Sequence, residues 1–275
     1  MRATKMARSA VAAIPVILTL TGTAAAGPCD DDGGRPVGPT AAALWDGGLG
    51  QAHRACPRTE VGLAPRGYLL VDTPAFYGRI SADVAIDGSV AVDATEVRVH
   101  LEPLRYEDVI SALSTRFVGY GYTAVGVTHR IDGDAGGAAV AVVGDVVLPT
   151  AIGLYGHQWP FAWDLAVAAD QSGKVGALHG QLGLVGSAAA GLGATQLRTG
   201  FAGTVGAGWQ PSGGFGLGVD VQAAAAYTAV IDHVAVAPTL RFGVGAWGLE
   251  LAGAVPVAGH ERALAVAELH STVRF

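Results

Sequence analysis

The chain has 275 residues, a formal net charge of -6 and only 15% charged residues, whereas ordinary soluble domains contain about 25%. After the N-terminus, no stretch offers the roughly 18 consecutive apolar residues that a membrane-spanning helix needs. The 41 glycines, spread without a collagen period, argue against long helices. Two classes remain: a soluble all-β protein with a large core, or a β-barrel that exposes one face to lipid.

The first 26 residues have the pattern of a secretory signal peptide. Three basic residues lie among the first eight, residues 10–20 are apolar, and residues 24–26 are small residues suited to cleavage. An uncleaved membrane anchor is the alternative, but the apolar run is shorter than a spanning helix. We therefore predict a cleaved signal peptide over residues 1–26.

Residues 27–60 form an irregular leader ahead of the patterned region. The leader contains Cys29 and Cys56, the only cysteines of the chain. Export to an oxidising compartment favours a disulfide between them, with two free thiols as the alternative. Neither cysteine is expected to be catalytic, because both precede the patterned region. A periplasmic extension and a plug in the mouth of a barrel both fit this leader.

From residue 61 to residue 275 the chain alternates apolar and polar side chains, the period of a strand with two different faces. Ile80 and Val84, for example, share one face while Ser81 and Asp83 share the other. The alternating segments are about 10 to 16 residues long. Soluble strands average about 5 to 6 residues, whereas tilted membrane strands need about 9 to 11. Length therefore favours a membrane barrel over a soluble sandwich.

Twelve strands are predicted, with ten as the alternative, because bacterial membrane barrels have even strand numbers. Asp87-Gly88 is interpreted as the first tight hairpin. Short connections are expected to alternate with looser ones along the chain. The predicted strands are 61–71, 76–87, 89–102, 112–131, 137–150, 159–171, 174–186, 195–210, 214–227, 233–244, 246–256 and 263–275.

The last strand has apolar residues at alternate positions and ends in Val273-Arg274-Phe275. This ending resembles the C-terminal signature of bacterial outer-membrane proteins, with Ser271 as a small polar departure. The layout is similar to that of porin-like barrels, without a subfamily fingerprint. The resemblance implies an antiparallel transmembrane β-barrel in the outer membrane of a Gram-negative bacterium. It also implies outer-membrane lipids as partners, and recognition of Val273 and Phe275 by the barrel-insertion machinery.

The polar faces of the predicted strands carry charges of both signs, as expected for a water-facing lumen. Buried charges must be paired or hydrated, and cross-strand pairs such as Arg241 with Glu250 are expected to do this. The residues predicted to face the lumen are Arg79, Asp83, Glu96, Arg98, His100, Glu102, Asp164, Arg198, Asp220, Arg241, Glu250, Glu268 and Arg274.

The function that these features favour is a porin-like channel for small solutes with a charged lumen. A closed structural barrel without transport is the alternative, and an outer-membrane lipid-modifying enzyme is a weaker one. The chain has no HxxxH, HExxH or CxxC spacing, and adjacent His270 and Ser271 point to opposite faces of their strand. We therefore expect no enzyme activity, metal or cofactor, and no nucleic-acid partner.

Overall fold

The computed structural model describes residues 55–72, 77–110, 115–133, 138–152, 159–172, 176–191, 194–212, 214–226, 231–259 and 263–274. The predicted signal peptide and most of the leader lie outside these residues. The strands of the described part are β1 (Glu60–Asp72), β2 (Tyr77–Val92), β3 (Thr95–Ile110), β4 (Thr115–Gly119), β5 (Thr123–Asp132), β6 (Ala138–Leu148), β7 (Trp159–Ser172), β8 (Gly176–Gly191), β9 (Ala194–Ser212), β10 (Phe215–Ala226), β11 (Ile231–Val244), β12 (Trp247–Ala258) and β13 (Ala263–Arg274).

These strands form one closed antiparallel sheet. Each strand pairs with its neighbours in chain order, and β1 pairs with both β2 and β13, which closes the ring. Closure satisfies the backbone hydrogen bonds that the edges of an open sheet would leave unpaired. No helix in the described residues is long and apolar enough to cross a membrane.

The thirteen strands make a twelve-strand barrel, because β4 and β5 occupy one position in the ring. Both pair with β3, β4 along its second half and β5 along its first half. The predicted strand 112–131 is thus present but interrupted at residues 120–122. At the interruption, Gly121 N donates to Glu102 O at 2.8 Å and Glu102 N donates to Tyr122 O at 3.0 Å. These bonds keep the segment between β4 and β5 joined to β3.

Neighbouring strands run in opposite directions, so the connections between them lie alternately at the two ends of the barrel. The end where β1 begins and β13 finishes is called here the terminal mouth, and the opposite end the distal mouth. Short turns at the terminal mouth include Asp93-Ala94, with a φ of 55° at Asp93, and Gly245-Ala246, with a φ of 60° at Gly245. The left-handed conformation at Gly245 carries no Cβ penalty, which suits a two-residue turn.

The hairpin predicted at Asp87-Gly88 is wrong, because β2 continues through both residues to Val92. Asp87 pairs across the sheet with His100, and its carboxylate bonds to that imidazole inside the barrel. A buried cross-strand partner for Asp87 outweighs the local turn preference of the Asp-Gly pair, and the chain reverses at Asp93-Ala94 instead.

Alternate residues of every strand face outward or inward, and the two sets differ in chemistry. Outward side chains are large and apolar, for example Leu165 at 54% and Val219 at 46% exposure. Aromatic rings lie on this outer face near the terminal mouth, where Phe215 and Phe242 have ring centroids 5.5 Å apart. Trp247 donates from Nε1 to Ser271 Oγ at 2.9 Å. The inward side chains are small or polar and almost all buried.

Candidate functional site

The interior of the barrel is the candidate site, and the structure places most of the predicted lumen residues there. Arg241 is partly buried, and the side chains of Arg79, Arg198 and Arg274 lie outside the described set. Buried inward side chains among the predicted residues are Asp83, Glu96, Arg98, His100, Glu102, Asp164, Asp220, Glu250 and Glu268.

The predicted assembly-signal residues and cysteines are not part of this inward-facing set. Val273 faces outward with 40% exposure, whereas Phe275 lies outside the described residues. Cys56 is buried and disulfide-bonded, and Cys29 lies outside the described residues.

Arg66 on β1 is the centre of the largest charged cluster. Its Nε donates to Asp83 Oδ1 at 2.7 Å, and its Nη2 donates to Glu102 Oε1. Glu102 in turn accepts from Arg105 Nη1 at 3.3 Å, and Arg105 Nε donates to Glu107 Oε1 at 3.1 Å. These side chains come from three successive strands and are nearly excluded from solvent, so each carboxylate depends on an arginine for neutralisation.

Two histidines extend this cluster around Asp87. His100 Nδ1 donates to Asp87 Oδ1 at 2.5 Å, and His100 Nε2 lies 3.3 Å from Glu102 Oε1. On the other side, His270 Nε2 lies 3.4 Å from Asp87 Oδ2 and His270 Nδ1 lies 3.4 Å from Glu268 Oε1. The cluster therefore runs across β13, β1, β2 and β3 as one polar network, called here the charged wall.

A second cluster lies next to the charged wall around Arg98. Arg98 Nη2 donates to Asp145 Oδ1 at 2.8 Å, its Nη1 donates to Thr128 Oγ1, and Glu96 lies 3.4 Å from Nη1. Asp145 belongs to β6 and Arg98 to β3, so this contact passes over β5. Gly126 on β5 makes room for this contact because it has no side chain, and a Cβ there would overlap the Asp145 carboxylate.

The remaining described pairs of the interior are simpler. Arg241 Nε donates to Glu250 Oε2, and the two residues are direct cross-strand partners, as the sequence predicted. His179 Nε2 lies 2.7 Å from Asp220 Oδ1, with β9 between their strands.

Gly206 on β9 is predicted to be required for the pair of His179 and Asp220. A Cβ at Gly206 would overlap both side chains, so Gly206→Ala should lower the unfolding free energy by about 1–3 kcal/mol. Gly88 is the matched control, because it is also a strand glycine and a Cβ there meets nothing within 4 Å. Urea unfolding of barrels refolded in vesicles measures the difference. Equal midpoints for the two alanine variants would contradict the steric argument.

Small side chains line much of the lumen outside the charged wall, from β7 round to β12. This surface is called here the alanine wall, and polar residues such as His179, Asp220 and Gln222 interrupt it. It consists of Ala166, Ala168, Ala202, Ala224, Ala235, Ala237, Ala252 and Ala254, on β7 and β9 to β12.

Several interior polar atoms have no hydrogen-bond partner among the described residues. Gln222 is fully buried and neither its Nε2 nor its Oε1 is bonded. The same lack of a hydrogen-bond partner among the described residues applies to Thr239 Oγ1 on the neighbouring strand, Ser81 Oγ and Asp83 Oδ2. Buried donors and acceptors need partners, and the described residues supply none to these atoms.

The leader enters this interior at the terminal mouth. Ala55 N donates to Asp170 Oδ2 at 2.6 Å, and Ala55 and Cys56 pack on Ala139 and Ala141 of β6. Arg58 N donates to Glu96 Oε2 at 2.6 Å. The described end of the leader thus lies across the terminal mouth rather than outside it.

Several residues of the interior were missing from the predicted lumen set. Arg66 belongs to a weakly alternating strand, and Asp145 is a single charge in an apolar run. Extending the two-residue period through both segments would have found them. The inward residues missed in this way include Glu60, Arg66, Arg105, Glu107, Asp145 and His233. In the described part, no group of three or more His, Cys, Asp or Glu is arranged to hold a metal ion.

Solved structures that resemble this architecture include two autotransporter barrels and an outer-membrane channel. An outer-membrane channel from Pseudomonas putida F1 matches with a TM-score of 0.55 and 11% identity, over 80% of this chain and 96% of that one. The β-domain of the Bordetella autotransporter Brka matches with a TM-score of 0.51 and 10% identity, over 79% and 100%. The translocator domain of the autotransporter NalP from Neisseria meningitidis matches with a TM-score of 0.50 and 12% identity, over 79% and 88%.

The chain has the fold of outer-membrane β-barrels. No protein-family model and no curated protein sequence matches it. At these identities the likeness concerns the fold alone.

Proposed function

We propose that the protein is an outer-membrane channel with a narrow, charged lumen that passes small solutes. The location is supported by the outer surface, where large apolar side chains cover the sheet. Exposed rings of Trp209, Phe242 and Trp247 near the terminal mouth have the position of an interfacial aromatic girdle. In this proposal outer-membrane lipids cover the apolar band, and the barrel-insertion machinery recognises the final strand through Val273 and Phe275.

The observation that carries the transport proposal is the set of interior polar atoms without hydrogen-bond partners among the described residues. A lumen that only filled space would pair such groups or replace them by apolar ones, since an unbonded buried polar group costs about 1–3 kcal/mol. Gln222, Thr239 and Ser81 instead present donors and acceptors to the interior. Water or a passing solute satisfies them in an open lumen.

The charge of the lumen favours cations. The buried described residues include twelve carboxylates, at Glu60, Asp83, Asp87, Glu96, Glu102, Glu107, Asp145, Asp164, Asp170, Asp220, Glu250 and Glu268. Among the described residues, the buried guanidinium groups of Arg66, Arg98 and Arg105 and the partly buried Arg241 oppose them, with four histidines. Carboxylates lining a pore raise the local concentration of cations and exclude anions.

Planar-bilayer recording tests both parts of this proposal. The refolded barrel without residues 27–54 should conduct, and in a KCl gradient K⁺ should be more permeant than Cl⁻. Asp164→Asn should weaken the cation preference, whereas Asp93→Asn, in an exposed turn at the terminal mouth, should leave it unchanged. A folded barrel without conductance would contradict the channel, and a preference for Cl⁻ would contradict the assigned charge of the pore.

A closed structural barrel is the second candidate, and the ion pairs of the charged wall favour it. Arg66 bonds two carboxylates and Arg98 lies against two more, so this half of the lumen is filled by paired side chains. The same recording separates the two candidates, because a closed barrel stays silent after the leader is removed.

A further inference from the structure

The leader crosses the terminal mouth of the barrel within a few residues. Next to β1, Ala91 N donates to Thr59 Oγ1 at 3.0 Å, and Ser89 Oγ donates to Arg58 O at 2.8 Å. Four residues before Thr59, Ala55 N is bonded to Asp170 on β7. In the ring, β7 lies across the barrel from β1, with β2, β3, β5 and β6 between them. The chain preceding Ala55 therefore enters the ring of strands next to β7, on the side across from β1.

The alanine wall is buried although its own side chains are too short to fill a lumen. Ala168 and Ala235 have 0% exposure, and Ala237 and Ala252 have 2% and 3%. Twelve strands spaced by about 4.8 Å and tilted by about 40° enclose a round barrel about 24 Å across. The strand pairs whose backbones lie close together are all neighbours in the sheet, so no backbone of the opposite wall lies against these alanines. A further segment of the chain inside the ring would account for their exclusion from solvent.

Residues 27–54 are the segment of this chain that fits the space. They connect directly to Ala55, which is already inside the lumen, and they include the run Ala41-Ala42-Ala43-Leu44-Trp45. Large apolar side chains packed against a surface of small ones fill an interior without voids. Leu44 and Trp45 supply such side chains, and the alanine wall supplies the small ones.

Cys56 fixes the position of this segment at the mouth. It is fully buried beside Ala139 and Ala141, and it is disulfide-bonded. The only other cysteine of the chain is Cys29, which we assign as its partner. The bond then ties the start of the leader to the point where the chain enters the barrel, so that residues 29–56 form a closed loop.

We propose that this loop is a plug, which fills the alanine-lined part of the lumen and is anchored at the terminal mouth by Ala55, Asp170 and the Cys56 disulfide. The proposal goes beyond the transport function and does not depend on it, since a plug can occupy a conducting or a closed barrel. Its chemistry is that of a tethered intramolecular ligand: apolar contact with the alanine wall and one buried backbone N–H bond to Asp170.

Thiol labelling of the alanine wall tests the plug. Ala235→Cys is introduced into the mature chain and into a chain that lacks residues 27–54 and carries Cys56→Ser, and a water-soluble maleimide is added to both folded proteins. Labelling should be at least about tenfold faster in the shortened chain, because local opening of the intact plug limits access. Ala94→Cys, in the turn at the terminal mouth, is the control and should react at similar rates in both.

Equal labelling of Ala235→Cys in the two chains, whether fast or absent, would overturn the plug. Where the shortened chain does not fold, Asp170→Ala in the full chain replaces it. Loss of the acceptor for Ala55 N should increase the labelling of Ala235→Cys several-fold, and the turn variant Asp93→Ala should not. No increase with Asp170→Ala would also overturn the plug. Labelling reports on the plug even in a barrel that conducts nothing, so its outcome is separate from that of the bilayer recordings.

Discussion

Replacing Arg66 by methionine is expected to lower the free energy of unfolding of the barrel by about 3–5 kcal/mol. The Arg66 guanidinium bonds Asp83 and Glu102, and all three side chains are at most 5% exposed. Methionine keeps much of the length of the side chain but removes the charge, which leaves two carboxylates without their main counter-charge in a buried setting. Unfolding by urea or guanidinium of barrels refolded in lipid vesicles gives the free-energy difference.

Arg116→Met provides the matched control for this experiment. Arg116 also pairs with a carboxylate, Asp108, but its side chain is 75% exposed. An exposed pair of this kind contributes about 0–1 kcal/mol, so its loss should shift the unfolding midpoint little. Similar losses for the two variants would show that the charged wall does not hold the barrel together.

Placing an arginine at Leu165 should destabilise the barrel in a membrane by about 2–4 kcal/mol. Leu165 lies midway along β7 with its side chain on the outer face, 54% exposed. In water such a position tolerates a charge, but at the middle of a bilayer the guanidinium would face hydrocarbon. The variant therefore distinguishes a lipid-covered surface from a water-covered one.

Val244→Arg is the comparison that isolates depth in the membrane. Val244 is the last residue of β11 and is 75% exposed beside the Gly245 turn, so the same substitution there should cost about 0–1 kcal/mol. The two variants are compared by unfolding in vesicles. A Leu165→Arg variant as stable as Val244→Arg would mean that the apolar band is not in contact with lipid.

The strand number and the two faces were predictable because each strand separates two environments. Alternation with a period of two residues is imposed by the backbone, so Leu165 and Val167 had to lie opposite Asp164 and Asp170. The structure confirms the closed antiparallel barrel of twelve strands, with the strand that includes Arg66 completing the ring.

Local turn preference was a weaker guide than pairing. Asp87-Gly88 is a strong hairpin pair, yet the Asp87 carboxylate is used by His100 inside the barrel and β2 continues past it. The interruption at residues 120–122 was also not predictable, because it depends on Glu102 of the neighbouring strand. There the backbone and the Oε2 atom of Glu102 take up bonds from Gly121 and Tyr122.

The contacts of the interior were predictable only where partners are direct cross-strand neighbours. Arg241 and Glu250 face each other in the register, so their pair follows from counting residues along one hairpin. The contact of Arg98 with Asp145 passes over an intervening strand, and it needs the absence of a side chain at Gly126. Such contacts depend on the curvature of the closed barrel and on side-chain reach, which a linear pattern does not contain.

Gel migration of the protein taken from an outer-membrane fraction tests the central claim most directly. A closed barrel resists unfolding by detergent until it is heated, since all its strand edges are paired. We expect the protein to sediment with outer membranes and the unboiled sample to migrate faster than the boiled one. Recovery in the soluble fraction, with the same migration before and after boiling, would contradict the account of a lipid-embedded barrel.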